Sequence, residues 1–419
     1  MNRWLRRGWA LVTHENAWLW EASAIGWALL LTYYLSGHDH LDWQRHALGR
    51  DYVNVWTAGH LIAQGRTCEI FTPKTFLADI HAMFDKRLPM HFWSYPPMGL
   101  LLAAPLGLFP YFAGLWAWTL AGLAALWPAL RAFFRSAWTG RAPVAGLVAL
   151  SFASPAVSTN IGLGQNGAFT AALLLGGLSQ LERRPYLAGA LLCLLCFKPQ
   201  IAILLPVMVL AGGRWKVMAA AVASALALTA FATALYGIES WRLFISDTLP
   251  MQGAMLSRGH GPFQWMMPSA FMAGRILHLP YLQAMTLQAP FTLAGVWMVW
   301  RAWRSPAVEP IVRAAILCLA TFVASPQAFN YDLIPALAAT ALLWRLEGGW
   351  DGWSAVGRGL AIANWTLPVS MVALQYWSVP ITPVVLLLTA LRLCAVGGVR
   401  LFTPIPLRER EGPKRSLGG

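Results

Sequence analysis

The chain has 419 residues, 58% of them hydrophobic and 11% charged, with a mean hydropathy of +0.53. An ordinary soluble domain carries about 25% charged residues, so this chain lacks the polar skin of a water-soluble fold and is read as a polytopic membrane protein. The net charge of +14 comes without a nucleic-acid motif, so nucleic acid is set aside as a partner; many of the basic residues flank apolar runs, where they anchor the chain on anionic lipid.

A membrane-spanning helix needs about 20 apolar residues. Taken in chain order, the apolar runs are 18–36, 94–109, 111–133, 142–159, 166–182, 186–211, 217–236, 283–303, 309–326, 331–346, 359–377 and 380–397. They predict an all-α bundle of about 12 transmembrane helices. Two of them carry breakers: Pro96, Pro97, Pro105 and Pro110 around 94–109, and Lys198-Pro199 within 186–211. Each of these two is a full span or a broken, re-entrant element, because proline removes a helix donor and kinks the backbone.

Basic residues set the orientation. Arg3, Arg6 and Arg7 precede the first run, which is read as a retained signal anchor with its N-terminus inside. Arg214, Lys216, Arg301, Arg304, Arg345, Arg358 and the tail from Arg400 onward then fall inside as well. The sidedness of Arg131, Arg135, Arg141, Arg183 and Arg184 depends on the two broken runs and stays open. One transmembrane domain over 1–403 is expected, followed by a cytoplasmic, disordered tail over 404–419. The location is a cell (inner) membrane, with both termini cytoplasmic.

The stretch 37–94 faces outward and holds Asp39, Asp42, Asp51, Glu69, Asp79 and Asp85, together with six of the nine histidines. Amphipathic helices are predicted near 52–64 and 73–86. The second starts at Pro73 and repeats Phe76, Leu77, Ile80 and Phe84 on one side, so both are expected to lie on the membrane surface. The run His38-Asp39-His40-Leu41-Asp42 with His46 fits no fixed ligand template and is not assigned a metal. Cys193 and Cys196 lack a second ligand pair and are read as small helix residues. No Gly-rich phosphate loop or serine nucleophile elbow is present, which disfavours nucleotide-sugar donors.

Several residues stand out by chemistry. Lys198 lies in an otherwise apolar stretch, where a lysine costs about 2.5–3.5 kcal/mol, so it is read either as the partner of a lipid phosphate or as a snorkelling residue. Gln165 and Asn166 offer amides suited to sugar hydroxyls, or alternatively a polar helix cap. Arg258 and His260 lie in the outward loop 237–262, where they are candidates to neutralise phosphate charge. Asn330, Tyr331 and Asp332 lie at an outer boundary, on the side of Asp51. Asp51 itself starts an amphipathic segment beyond the first span.

The order of motifs resembles glycosyltransferase family 87. The matching pieces are Gly49-Arg50-Asp51-Tyr52, Trp93-Ser94-Tyr95-Pro96-Pro97, Gly164-Gln165-Asn166, Phe197-Lys198-Pro199-Gln200 and Ser325-Pro326-Gln327-Ala328-Phe329-Asn330-Tyr331-Asp332. The resemblance implies a GT-C fold with external surface helices. It also implies an inverting transfer of a hexose, mannose by preference, from a polyprenyl-phosphate donor. The acceptor would be lipid-linked or a glycan, at the extracytoplasmic face, and no cofactor would be needed. It makes Asp51 the base; Lys198, Arg258 and His260 the phosphate side; and Tyr52, Tyr95, Gln165, Asn166, Gln327, Asn330, Tyr331 and Asp332 the sugar and acceptor side. Where members often carry histidine in the last motif, this chain has Asn330-Tyr331-Asp332. The competing reading is a transporter or lipid flippase, since a buried lysine and proline-broken helices are also transporter features; against it stand the missing internal repeat and the concentration of polar residues in one loop.

Overall fold

A computed structural model describes residues 17–38, 41–42, 44–136, 141–259, 261–348 and 354–402. Every regular element of more than a bridge among the described residues is helical. The helices used below are α1 (Ala17–Leu35), α2 (Tyr52–Ala63), α3 (Pro73–Met83), α4 (Tyr111–Arg135), α5 (Arg141–Phe152), α6 (Pro155–Gly162), α7 (Gly167–Gln180), α8 (Pro185–Cys193), α9 (Leu205–Gly212), α10 (Trp215–Leu243), α11 (Leu249–Arg258), α12 (Tyr281–Arg304), α13 (Pro310–Ala324), α14 (Ile334–Leu346), α15 (Ala355–Tyr376) and α16 (Thr382–Val396). By length and composition, three helical stretches among the described residues can cross a membrane: Tyr111–Arg135, Val144–Gly162 and Trp215–Arg258. Several others, including α7, α13, α14 and α16, are apolar but shorter.

The two broken runs depart from continuous spans. Residues 97–108 form three short turns, Pro97–Gly99, Leu100–Ala103 and Leu106–Leu108. They lie across α2, where backbone meets backbone: a Cβ on Gly59 would sit 2.2 Å from the Ala103 carbonyl, and one on Gly107 would sit 2.0 Å from the Gly59 carbonyl carbon. Prolines at the starts of these turns interrupt the hydrogen-bond ladder and keep the stretch from becoming one helix. The second run enters as α8, breaks at Lys198, and leaves as α9. Arg214 beyond α9 pairs with Glu182 before α8, so both ends of this hairpin lie together.

That arrangement gives the bundle two chemically different ends. At one end Arg214 binds Glu182 and lies over the Trp303 ring, and Arg392 binds Glu347 at 2.7 Å. Arg301 donates to the Arg400 carbonyl there and lies over Trp297. Helix α4 begins at the opposite end, where Tyr111 donates to the Leu48 carbonyl at 2.6 Å, and carries Arg131 and Arg135 to the basic end. Arg183 and Arg184 flank the Glu182 contact. Of the arginines whose side the charge pattern left open, Arg131, Arg135, Arg183 and Arg184 therefore lie at the end that holds Arg214 and Arg301, because 97–108 folds across α2 and 185–212 returns to where it started.

Two cores follow. The larger fills the bundle from Leu19 through Val399. The smaller belongs to the loop: Tyr52, Val53, Leu61, Phe71, Phe76, Ile80 and Trp93 pack with Tyr111, Leu115 and Trp118 of α4. Helix α3 forms where its apolar spacing predicts it. Its Phe76 and Ile80 are fully buried, each contributing about 1.5–3 kcal/mol. The expected surface-lying helices thus turn their apolar faces into protein. Arg66 clamps this subdomain through Glu69 and Asp79.

Candidate active site

Three backbone turns meet at the end away from the basic residues. The turn Gly164–Gly167 is the wedge between the other two. Gly164 has φ of +58° and Gly49 has φ of +77°; a Cβ on Gly164 would lie 2.3 Å from the Gly49 carbonyl. The Asp51 amide donates to the Leu163 carbonyl at 3.1 Å. On the other flank a Cβ on Gly167 would lie 2.1 Å from the Tyr331 carbonyl. Only side-chain-free positions admit these approaches. Segments more than a hundred residues apart are thereby held in backbone contact, and their side chains project to one place.

The side chains form a continuous chain of contacts. Asp51, at the start of α2, accepts from Gln165 Nε2 at 2.7 Å. Asn166 donates through Nδ2 to the Tyr95 oxygen at 2.7 Å. Lys198 Nζ donates to Asn166 Oδ1 at 2.9 Å and to Asp332 Oδ1 at 2.6 Å, with its ammonium 4.8 Å from the Tyr331 ring centre. Asp332 Oδ2 takes the Phe329 amide. Lys198 is 2% exposed and Asp332 1%, so the pair is withdrawn from solvent, and each charge satisfies the other.

Asp51 contrasts with that pair. It is half-buried, and among the described residues its second oxygen has no hydrogen-bond partner. Arg50 turns away and binds Asp42 at 2.6 Å instead. His91 lies in this neighbourhood; burial pushes its imidazole below the usual 6.5, while the Asp51 charge pulls it the other way. A carboxylate with one oxygen fixed and the other open can accept a further hydrogen bond or a proton.

The other sequence candidates divide. Gln165, Asn166, Tyr95, Lys198, Tyr331 and Asp332 come together as expected. Tyr52 is fully buried, its ring 5.4 Å from that of Tyr111, and it packs in the loop core. Asn330 is also committed, donating to the Pro368 carbonyl and accepting from the Tyr331 amide. Gln327 is half-buried nearby in sequence but joins none of the network's hydrogen bonds among the described residues. Arg258 ends α11 exposed, with no hydrogen bond or ion pair to the network among those residues, and His260 lies outside them. Among the described residues no three His, Cys, Asp or Glu side chains converge as a metal site; Asp39 and His40 lie outside them. Sequence reading missed Trp93 and Phe197, whose rings flank Tyr95 at 5.2 and 5.7 Å. It also missed Gly167, although a second glycine just after Gly164-Gln165-Asn166 was a signal for close approach.

Apolar, membrane-length helices around a buried polar network define a polytopic membrane protein. The family model described as glycosyltransferase family 87 matches residues 93–326, more than half of the chain, and the chain belongs to that family: it is a membrane glycosyltransferase. Tyr95, Gln165, Asn166 and Lys198 lie inside the matched stretch, whereas Asp51 and Asp332 lie outside it. Comparison with curated proteins and with solved structures returned no match.

Proposed function

We propose that the protein transfers a hexose, mannose by preference, from a polyprenyl-phosphate donor to an acceptor hydroxyl at the extracytoplasmic face, with Asp51 as the general base. The observation that carries this reading is the Asp51 carboxylate, held by Gln165 on one oxygen and open on the other. In an inverting displacement the acceptor oxygen attacks the anomeric carbon, its proton passes to the free Asp51 oxygen, and the lipid phosphate leaves with the bonding pair. A membrane-embedded site suits a donor whose leaving group is itself a lipid.

The structure changes the part offered to Lys198. Its charge already meets Asp332 and Asn166, so a donor phosphate would have to share the ammonium or displace the carboxylate. Arg258 and His260 remain candidates for the phosphate only if α11 and its following turn come closer when the donor binds.

The test is Asp51→Asn in purified protein supplied with polyprenyl-phosphate mannose. The expected result is unchanged thermal unfolding and a fall in turnover of at least ~100-fold, the lower end for general acid–base catalysis. Glu239→Gln, at an exposed residue whose only ion pair among the described residues is with Arg242 on its own helix, should keep its rate. Turnover in Asp51→Asn close to that of the unaltered protein would remove Asp51 from the mechanism.

A further inference from the structure

The hydrogen bonds around Asn166 have a direction that chemistry dictates. An ammonium only donates, so Lys198 obliges Asn166 to present its carbonyl oxygen, at 2.9 Å. The amide NH2 must then face Tyr95, at 2.7 Å. The Tyr95 oxygen therefore accepts, and its own proton stays uncommitted: among the described residues no group takes it. The ring cannot turn freely to find another acceptor, since Trp93 and Phe197 hold it edge-on, and a Cβ on Gly99 would lie 2.8 Å from the Tyr95 Cβ. Asn166 and Lys198 are buried, whereas Tyr95 is half-buried, as is Asp51. Gln165, next in sequence to Asn166, holds the Asp51 carboxylate. Tyr95 and Asp51 are thus tied to adjacent residues, Asn166 and Gln165, of one turn.

We propose that Lys198 is a positioning residue that sets the polarity of the chain Lys198→Asn166→Tyr95, so that the Tyr95 hydroxyl is reserved as a hydrogen-bond donor to an oxygen of the bound sugar donor. The oxygen is a sugar hydroxyl or a phosphate oxygen, both of which accept. The role in transfer rests on the function proposed above; the polarity itself does not. Asp332 contributes by holding the ammonium in place from the far side, which keeps Asn166 from rotating.

Isotope-edited infrared spectroscopy reads the polarity without any substrate. The carbon–oxygen stretch of Tyr95, isolated as the difference between the unaltered protein and Tyr95→Phe, should be that of a phenol that accepts without donating. In Asn166→Asp, a carboxylate beside Lys198 only accepts, so Tyr95 must donate to it and the band should shift accordingly. A donating band in the unaltered protein, or no shift in Asn166→Asp, overturns the proposal whatever the enzyme's activity.

Kinetics with polyprenyl-phosphate mannose reads the role. Losing one hydrogen bond to substrate should lower kcat/KM about 10-fold in Tyr95→Phe, and Asn166→Asp should fall similarly. The double variant should be no worse than the lower single, because both remove the same donated proton. Multiplicative losses in the double variant, or a fully active Tyr95→Phe beside an Asp51→Asn that is inactive, overturn the proposed role while leaving the base and the reaction standing. A single-substituted Asp51→Asn that stays active sinks the functional reading instead, and the infrared result then stands alone.

Discussion

Two carboxylates at the site look alike in the sequence and are used differently. Asp332 is buried against Lys198, and Asp51 is left half-open beside Gln165. Removing one member of a buried ion pair leaves the other uncompensated, at a cost of about 3–5 kcal/mol. Lys198→Met is therefore expected to unfold at a markedly lower temperature, and Lys198→Met/Asp332→Asn to recover part of the loss. Thermal unfolding in detergent measures both; a double variant no more stable than Lys198→Met would show that the pair is not what the lysine stabilises. For the same reason Lys198→Met is not a clean probe of donor binding. Asp42, which its neighbours in sequence mark as an ordinary loop acid, is 4% exposed and accepts from Arg50, the Gln44 amide and the His46 amide. Substituting it tests the loop's folding and not the chemistry. Tyr52 shows the converse: a tyrosine next to Asp51 reads as a ligand contact, yet an aromatic ring with one polar tip serves a core equally well, and only its neighbours decide.

At the scale of elements, helix positions were legible wherever a start signal coincided with periodicity. Asp51 precedes α2, Pro73 opens α3 and Pro310 opens α13, each where the pattern places it. What periodicity cannot report is direction. Lys198-Pro199 announces a break, but whether the chain continues across or turns back depends on what the two halves meet, here Glu182 and Arg214 at a shared end. Nor does it report which glycines are contact points. Gly167 and Gly176 lie on the same helix, yet a Cβ on the first would be 2.1 Å from the Tyr331 carbonyl and one on the second 3.8 Å from its nearest neighbour. Gly167→Ala should therefore push the Tyr331–Asp332 turn away from Asn166. It should destabilise by about 1–3 kcal/mol, as overpacking does, with a loss of turnover. Gly176→Ala should be neutral or slightly stabilising, since alanine is favoured over glycine within a helix. Equal unfolding temperatures for the two variants would mean that the turn adjusts and does not define the site.

For the whole molecule, the separation of charge and chemistry has a geometric consequence. Helices α7 and α14 run from the site to the basic end in 14 and 13 residues, about 20 Å at 1.5 Å per residue. A hydrocarbon core is about 30 Å thick. With the basic end at one membrane face, the network around Asn166 lies inside the bilayer's thickness, roofed by the loop subdomain, which is where a lipid-borne phosphate and an aqueous acceptor can meet. The positive-inside bias is the ground for proposing that the basic end is cytoplasmic. Labelling intact cells with a membrane-impermeant thiol reagent tests both statements together. Cys68 is exposed on the loop subdomain and should react in the unaltered protein. In a Cys68→Ser background, Arg135→Cys, Arg183→Cys and Arg304→Cys, all at exposed positions, should stay unlabelled until the membrane is permeabilised if the stretch 97–108 does not cross and the hairpin at Lys198 returns. Labelling of position 135 without position 304 would mean that 97–108 crosses the bilayer. Labelling of all three arginine positions, with Cys68 protected, would keep the architecture and reverse its orientation, and the proposed extracytoplasmic site would fall with it.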